Sequence, residues 1–247
     1  FLHDSDSLYT SDRYLRDALW HSNMGACYEA LLESEAAVSE YEASIMLLDS
    51  ASPTRLNLLA RAMVLNNLGF SHLTLADEGL PGANLRKAER NLLEALSIRE
   101  DQYDTDLKKA RVLFNLAEVY KRQDNSPASM EYLDRAEGVL GRVQVPHALK
   151  ASVPNEQAIR LFEAGHFREA VEKFQEARRT LSRIYGEDSE QYVLTSYSIA
   201  QALEAAGDPA AKQHLIHARI VALRTFDSRH HPVLRMIEDD LSKTRFH

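Results

Sequence analysis

Five times in this chain a small residue sits inside a helical pattern, with a bulky residue before it and an aromatic or apolar one three positions on. The five are Met24-Gly25 with Tyr28, Leu68-Gly69 with His72, Leu116-Ala117 with Tyr120, Gln157-Ala158 with Leu161, and Ile199-Ala200 with Leu203. The small residues are 44, 48, 41 and 42 positions apart. A second pattern follows each: Ala37/Tyr41/Ser44, Ala88/Leu92/Ala95, Ser129/Leu133/Ala136, Ala170/Phe174/Ala177 and Ala211/Leu215/Ala218. Spacings of three and four put these residues on one helix face, where the small ones admit a neighbouring backbone. Each unit therefore reads as a helical hairpin. One hairpin cannot bury its own apolar stripe, so the units must stack. The expected architecture is all-α: hairpins at about 12–50, 58–101, 108–140, 152–184 and 189–226, then a capping helix at 231–244, in one solenoid domain spanning 1–247.

Composition agrees with helices. Nine glycines and seven prolines in 247 residues are few, and residues of high helix propensity fill the long stretches. The lone Cys27 excludes an intrachain disulfide. Placed two after Gly25, it is expected to be a small core residue and not a nucleophile. A net charge of −8 argues against binding nucleic acid or an anionic membrane surface, because both rely on basic patches. No run approaches the ~18–20 apolar residues of a membrane span. A chain starting at Phe1 is expected to have lost a leader or to be cut from something longer. The expected compartment is the cytoplasm, with a mitochondrion after presequence removal as the alternative.

Turn chemistry supports the hairpins. Gly165-His166-Phe167 reads as a C-terminal glycine leading into a new helix, and Ser126-Pro127 and Asp208-Pro209 as N-caps before a proline. Three departures stand out. Seven extra residues between Leu75 and Leu85, containing Asp77-Glu78-Gly79-Leu80-Pro81-Gly82, are expected to protrude as a loop over 76–84. The stretch from Gly141 to Pro154 should bend the stack and limit the next helix to about three turns. After Pro232, the residues Val233, Leu234, Met236, Ile237 and Leu241 read as the apolar side of the cap.

The pattern resembles the tetratricopeptide repeat over residues 12 to 226, most specifically in Ala164-Gly165-His166-Phe167-Arg168-Glu169-Ala170 and its continuation to Ala177. The long spacing, with Val64-Leu65-Asn66-Asn67-Leu68-Gly69, Leu93-Glu94-Ala95-Leu96-Ser97-Ile98-Arg99-Glu100, Tyr185-Gly186-Glu187-Asp188 and His230-His231-Pro232, is similar to the kinesin light chain subset. That family's heptad segment is absent, so motor association does not carry over. The resemblance implies a right-handed α-α superhelix whose first helices line a concave groove. It also implies that asparagines two before the small anchor, here Asn23, Asn67 and Asn115, hold the backbone of a bound peptide. An amide offers both donor and acceptor. The bland alternative is that these amides merely cap or bridge neighbouring helix carbonyls. Binding to a chaperone's acidic tail is disfavoured, since Ser22 and Ala26 stand where the two-carboxylate clamp requires Lys and Asn.

Around the asparagines, Leu19, Met63, Asn66, Phe70 and Thr74 offer a largely apolar floor. Lys108, Arg111, Asn115, Glu118 and Arg122 form one stripe, with Lys121 beside it, and Arg111 and Arg122 could select an acidic group. Internal pairing of those arginines with Glu118 is the alternative. Phosphate loops, zinc-protease pairs and paired-cysteine spacing are absent from the sequence. His214 and His217, with His230 and His231 nearby, lack a completing ligand set, so no metal and no cofactor are expected. Tyr28, Tyr41 and Tyr120 read as packing, and Glu33, Glu35, Glu40, Glu42 and Asp49 as a solvated face. The reading is a non-enzymatic scaffold that binds a protein or peptide segment, acidic residues included, in its groove. The alternative is a structural subunit or assembly factor that uses its outer face, its ends or the 76–84 loop.

Overall fold

The computed structural model describes residues 3–79, 81–102, 107–228 and 230–243, with side chains from residue 13 onward. Among them are eleven helices and no strand. They are α1 (His3–Ala30), α2 (Ser34–Asp49), α3 (Arg55–Asp77), α4 (Pro81–Asp101), α5 (Leu107–Arg122), α6 (Ser126–Leu140), α7 (Leu149–Glu163), α8 (Phe167–Tyr185), α9 (Glu190–Ala205), α10 (Ala211–Thr225) and α11 (Pro232–Lys243). The chain divides into two compact units, Phe1–Val139 and Leu140–His247. The boundary falls just before the proline-bearing stretch 141–154.

In the first unit α1 packs on α2, α2 on α3, α3 on α4 and α4 on α5, while α1 also touches α3 and α3 touches α5. The small anchors explain how the helices come so close. A Cβ on Gly25 would lie 2.7 Å from the Tyr41 ring, and one on Gly69 would lie 2.6 Å from Leu92 Cγ. Where serine replaces alanine at a small position, its hydroxyl meets a facing carbonyl. Ser44 Oγ donates to the Ala18 oxygen at 2.7 Å, and Ser129 Oγ to the Ala117 oxygen at 2.9 Å. Those bonds remove the penalty of burying a hydroxyl. In the second unit α7 packs on α8, α8 on α9 and α9 on α10, with α11 on α10. Leu234 and Ile237 bring the cap into that core, whereas Met236 faces out. Thr244, at the end of the expected cap, lies outside the described residues.

Four of the hairpin turns close in one way. The N–H groups of Glu33, Asn125, His166 and Asp208 donate to the carbonyls of Tyr28, Tyr120, Leu161 and Leu203 at 2.8–2.9 Å. The residue before each donor is left-handed: Leu32 (φ 62°), Asp124 (φ 56°), Gly165 (φ 82°) and Gly207 (φ 69°). This is the six-to-one closure that glycine favours, and a side chain there costs roughly 1–2 kcal/mol. Leu32 is 84% exposed, so it packs on little that would offset the strain. Leu32→Gly is expected to stabilise the fold by about 1 kcal/mol, read as a higher urea midpoint at unchanged slope.

Three expectations are corrected. The extra residues between Leu75 and Leu85 form no protruding loop. They lengthen α3 to Asp77 and start α4 at Pro81, because proline is suited to a helix's first position. Leu80, between the two helices, lies outside the described residues. The helix α7 runs for 15 residues, about four turns, and carries Pro154 inside it. That proline sits close enough to the start to sacrifice only the bond to the Lys150 carbonyl. Finally, the side chain capping α6 is Asn125, whose Oδ1 accepts from Ala128 N at 3.2 Å, while Asp208 Oδ1 accepts from Ala210 N at 2.8 Å as α10 begins.

Candidate functional site

The asparagines on which peptide binding was expected lie on α1, α3 and α5, all in the first unit, and the structure treats them differently. Asn23 is exposed and Asn67 half-buried. Asn115 and Asn66 are buried, at 7% and 6% exposure. Asn115 Nδ2 donates to Asn66 Oδ1 at 3.0 Å, and Asn66 Nδ2 donates to Asn67 Oδ1 at 3.2 Å. The amides of α3 and α5 thus form a relay across the helix pair, bonded to one another and not to helix carbonyls, and Asn115 is committed to it. Asn66→Leu should cost about 1–3 kcal/mol by leaving the Asn115 amide unpaired in the core. The double change with Asn115→Leu should recover part of that loss, a coupling that a denaturation double-mutant cycle measures.

Around the relay, Leu19 and Met63 are half-buried and Phe70 is 47% exposed in the middle of an otherwise largely buried helix. Thr74 is half-buried, and its hydroxyl donates to the Phe70 carbonyl at 3.3 Å. At the edge nearest α2, Glu29 accepts a 2.6 Å bond from Ser71 Oγ. Burial nevertheless holds its carboxyl above the usual range. Tyr41 is fully buried beside it.

The basic stripe on α5 is partly neutralised. Arg122 Nε and Nη2 donate to the two Asp77 oxygens at 3.0 and 3.1 Å, and Nη1 to Glu118 at 2.8 Å. The hydrogen bonds from Arg122 hold the Asp77 carboxyl below its ordinary range. Lys121 lies 3.9 Å from Glu118. Arg111, by contrast, is exposed and makes no ion pair among the described residues. Tyr120 packs as expected, stacking on Tyr132 with ring centroids 5.3 Å apart and donating to Glu89 at 2.9 Å.

Sequence reasoning missed Trp20, which is 58% exposed on α1. Five before the small anchor, it stands where the later units place Val64, Val112, Val153 and Thr195, all buried. The expectation for Cys27 is corrected for the same reason. It is exposed, while its equivalents Ser71, Val119 and Ala202 are buried and Arg160 is half-buried. In α3 and α9 these positions lie against the preceding hairpin. No described hairpin covers the matching face of α1, and both residues stand in solvent there. A repeat alignment that tracked those two positions would have flagged both residues.

No helix among the described residues is long and apolar enough to cross a membrane. No group of three or more His, Cys, Asp or Glu among them is arranged to hold a metal ion. No family model and no curated protein matches the sequence. Solved structures do match. The Podosopora anserina putative kinesin light chain with nearly identical TPR-like repeats aligns with a TM-score of 0.66 at 15% identity, over 84% of this chain and 96% of its own. The apo form of RapI aligns at 0.70 and 11%, over 92% and 84%. A Rap protein complexed with competence and sporulation factor aligns at 0.63 and 12%, over 92% and 64%. Taken with the hairpin register, these similarities show that the chain has the tetratricopeptide-repeat fold, an all-α stack resembling kinesin-light-chain-like repeats.

Proposed function

We propose that the chain is a non-enzymatic protein-binding scaffold, and that the face made by α1, α3 and α5 of the first unit receives an extended or helical segment of its partner. The observation that carries this reading is Phe70. A phenyl group half in water, between Asn67 and Thr74 on a helix with twelve buried residues, supports an apolar contact supplied by another molecule. Leu19 and Met63 extend the apolar floor. Asn23 and Asn67 are the amides accessible for backbone contact, Asn66 with Asn115 behind it holds Asn67, and Arg111 supplies a cation for an acidic residue. Arg122 serves the scaffold through Asp77 and Glu118. Among the similar structures, the Rap protein is one complexed with competence and sporulation factor.

The test is affinity purification with mass spectrometry, comparing the natural sequence with Asn67→Ala/Phe70→Ala. The doubly substituted protein should stay folded, though less stable because the buried Asn66 amide loses its acceptor, and should lose its partner by at least about tenfold, since an anchoring side chain and a hydrogen bond are removed together. Equal recovery of the same proteins would dismiss this face.

A second reading, a structural subunit that docks through the exposed face of α1, rests on Trp20. Trp20→Ala should then release the complex while Asn67→Ala/Phe70→Ala does not, as resolved by native gel retention.

A further inference from the structure

A different surface, in the second unit, gathers polar side chains around one arginine. Between α8 and α10 lies a cavity of about 380 Å³ lined by Arg178, Gln213, His214 and His217. The Arg178 guanidinium lies over the Tyr192 ring at 5.9 Å, and that ring meets His217 edge-on at 6.5 Å. Among the described residues none of the four lining side chains has a hydrogen bond or an ion pair. A larger cavity in the first unit, between α2, α3 and α4, holds acidic side chains as well. There Arg61 is matched by Glu94 and Asp49.

We propose that this groove binds the dianion of a phosphate monoester. A carboxylate, with one charge and two oxygens, would be satisfied by the arginine fork alone. A phosphate brings about two charges and three acceptor oxygens, which call for several converging donors. One permanent cation is present, and the two imidazoles supply the rest by taking up protons as the anion enters. The cavity exceeds the volume of inorganic phosphate, leaving space for the group that carries the ester.

Without ligand both imidazoles are held below their ordinary range. Burial lowers them first, then Arg178, with His217 also acting on His214 and Arg224 on His217. Asp208 opposes this at His214, and Glu187 at His217. Arg224 itself lies 3.5 Å from Asp188. Tyr192 contributes an uncharged ring.

The experiment is NMR titration of the full chain, following the imidazole resonances of His214 and His217. The probes are the tripeptide alanine–phosphoserine–alanine, its unphosphorylated form, and inorganic phosphate. The phosphorylated tripeptide should saturate at one site, raise both imidazole pKa values, and bind more weakly at pH 8 than at pH 6.5. Arg178→Met, and separately His214→Gln/His217→Gln, should weaken it about tenfold or more, whereas Arg179→Met on the exposed neighbouring position should not. Variants whose thermal unfolding matches the parent keep that comparison sound. Four results would overturn the proposal: no imidazole shift with the phosphorylated tripeptide, equal shifts with the unphosphorylated one, undiminished binding by Arg178→Met, or saturation by inorganic phosphate alone.

Discussion

Tyr41→Ala is expected to destabilise the protein by about 3–5 kcal/mol, enough to remove much of the stability of an ordinary domain. The ring is fully buried and lies over Gly25, in the space a Cβ there would need. Its loss leaves a void that two helix backbones cannot readily close. Gly25→Ala acts on the same contact from the other side. Its Cβ would sit 2.7–2.9 Å from three ring carbons, an overpacking of roughly 1–3 kcal/mol. Alanine's helix propensity offsets about 1 kcal/mol of that. Because the added methyl group partly fills the space the ring vacates, the double variant should lose less than the sum of the two. Urea denaturation of all four proteins measures the difference, and strict additivity would show that ring and glycine are not coupled as the geometry implies.

Acid should destabilise the protein through one histidine. His72 is buried on α3, and its imidazole is pushed down to about 4, by burial first and then by Lys87 and Arg90, against an opposing bond to Asn84. The folded protein keeps this ring neutral, while the unfolded chain protonates it near pH 6.5. Between pH 6.5 and about 4 the unfolded state therefore binds more protons, and stability falls as pH falls. The full effect is about 3 kcal/mol, present above pH 6.5 and gone below about 4. His72→Leu should remove that slope and leave the slopes of other groups in place. Chemical denaturation of both proteins at half-unit pH steps decides it. Parallel curves would refute the assignment.

What the sequence made legible was the local geometry of each hairpin. Small and large residues three and four apart specify a helix face without reference to anything distant, so every hairpin and the cap could be located. The stretch between Leu75 and Leu85 misled because Gly79, Pro81 and Gly82 look like breakers, although a proline at a helix's first position continues the structure. Asn115 was legible as an inward-facing amide, but its acceptor lies 49 residues away, and no local rule singles out Asn66 from Asn67 as that partner. Arg122 shows the same limit. Its i−4 partner Glu118 was visible, while Asp77, 45 residues earlier, was not. Cys27 was misread because burial in a stack depends on having a neighbour on both sides, and position within the array is invisible in the residue itself.

The solvent-facing Trp20 and Cys27 carry a consequence for any shortened version of the chain. A stack of interchangeable layers has a sticky front wherever it is cut. Removing α1 and α2 would merely pass that exposure to Val64 and Ser71. Trimming from the front therefore relocates the unsatisfied layer one step inward, and only a polar cover laid over it would make a shortened stack well behaved.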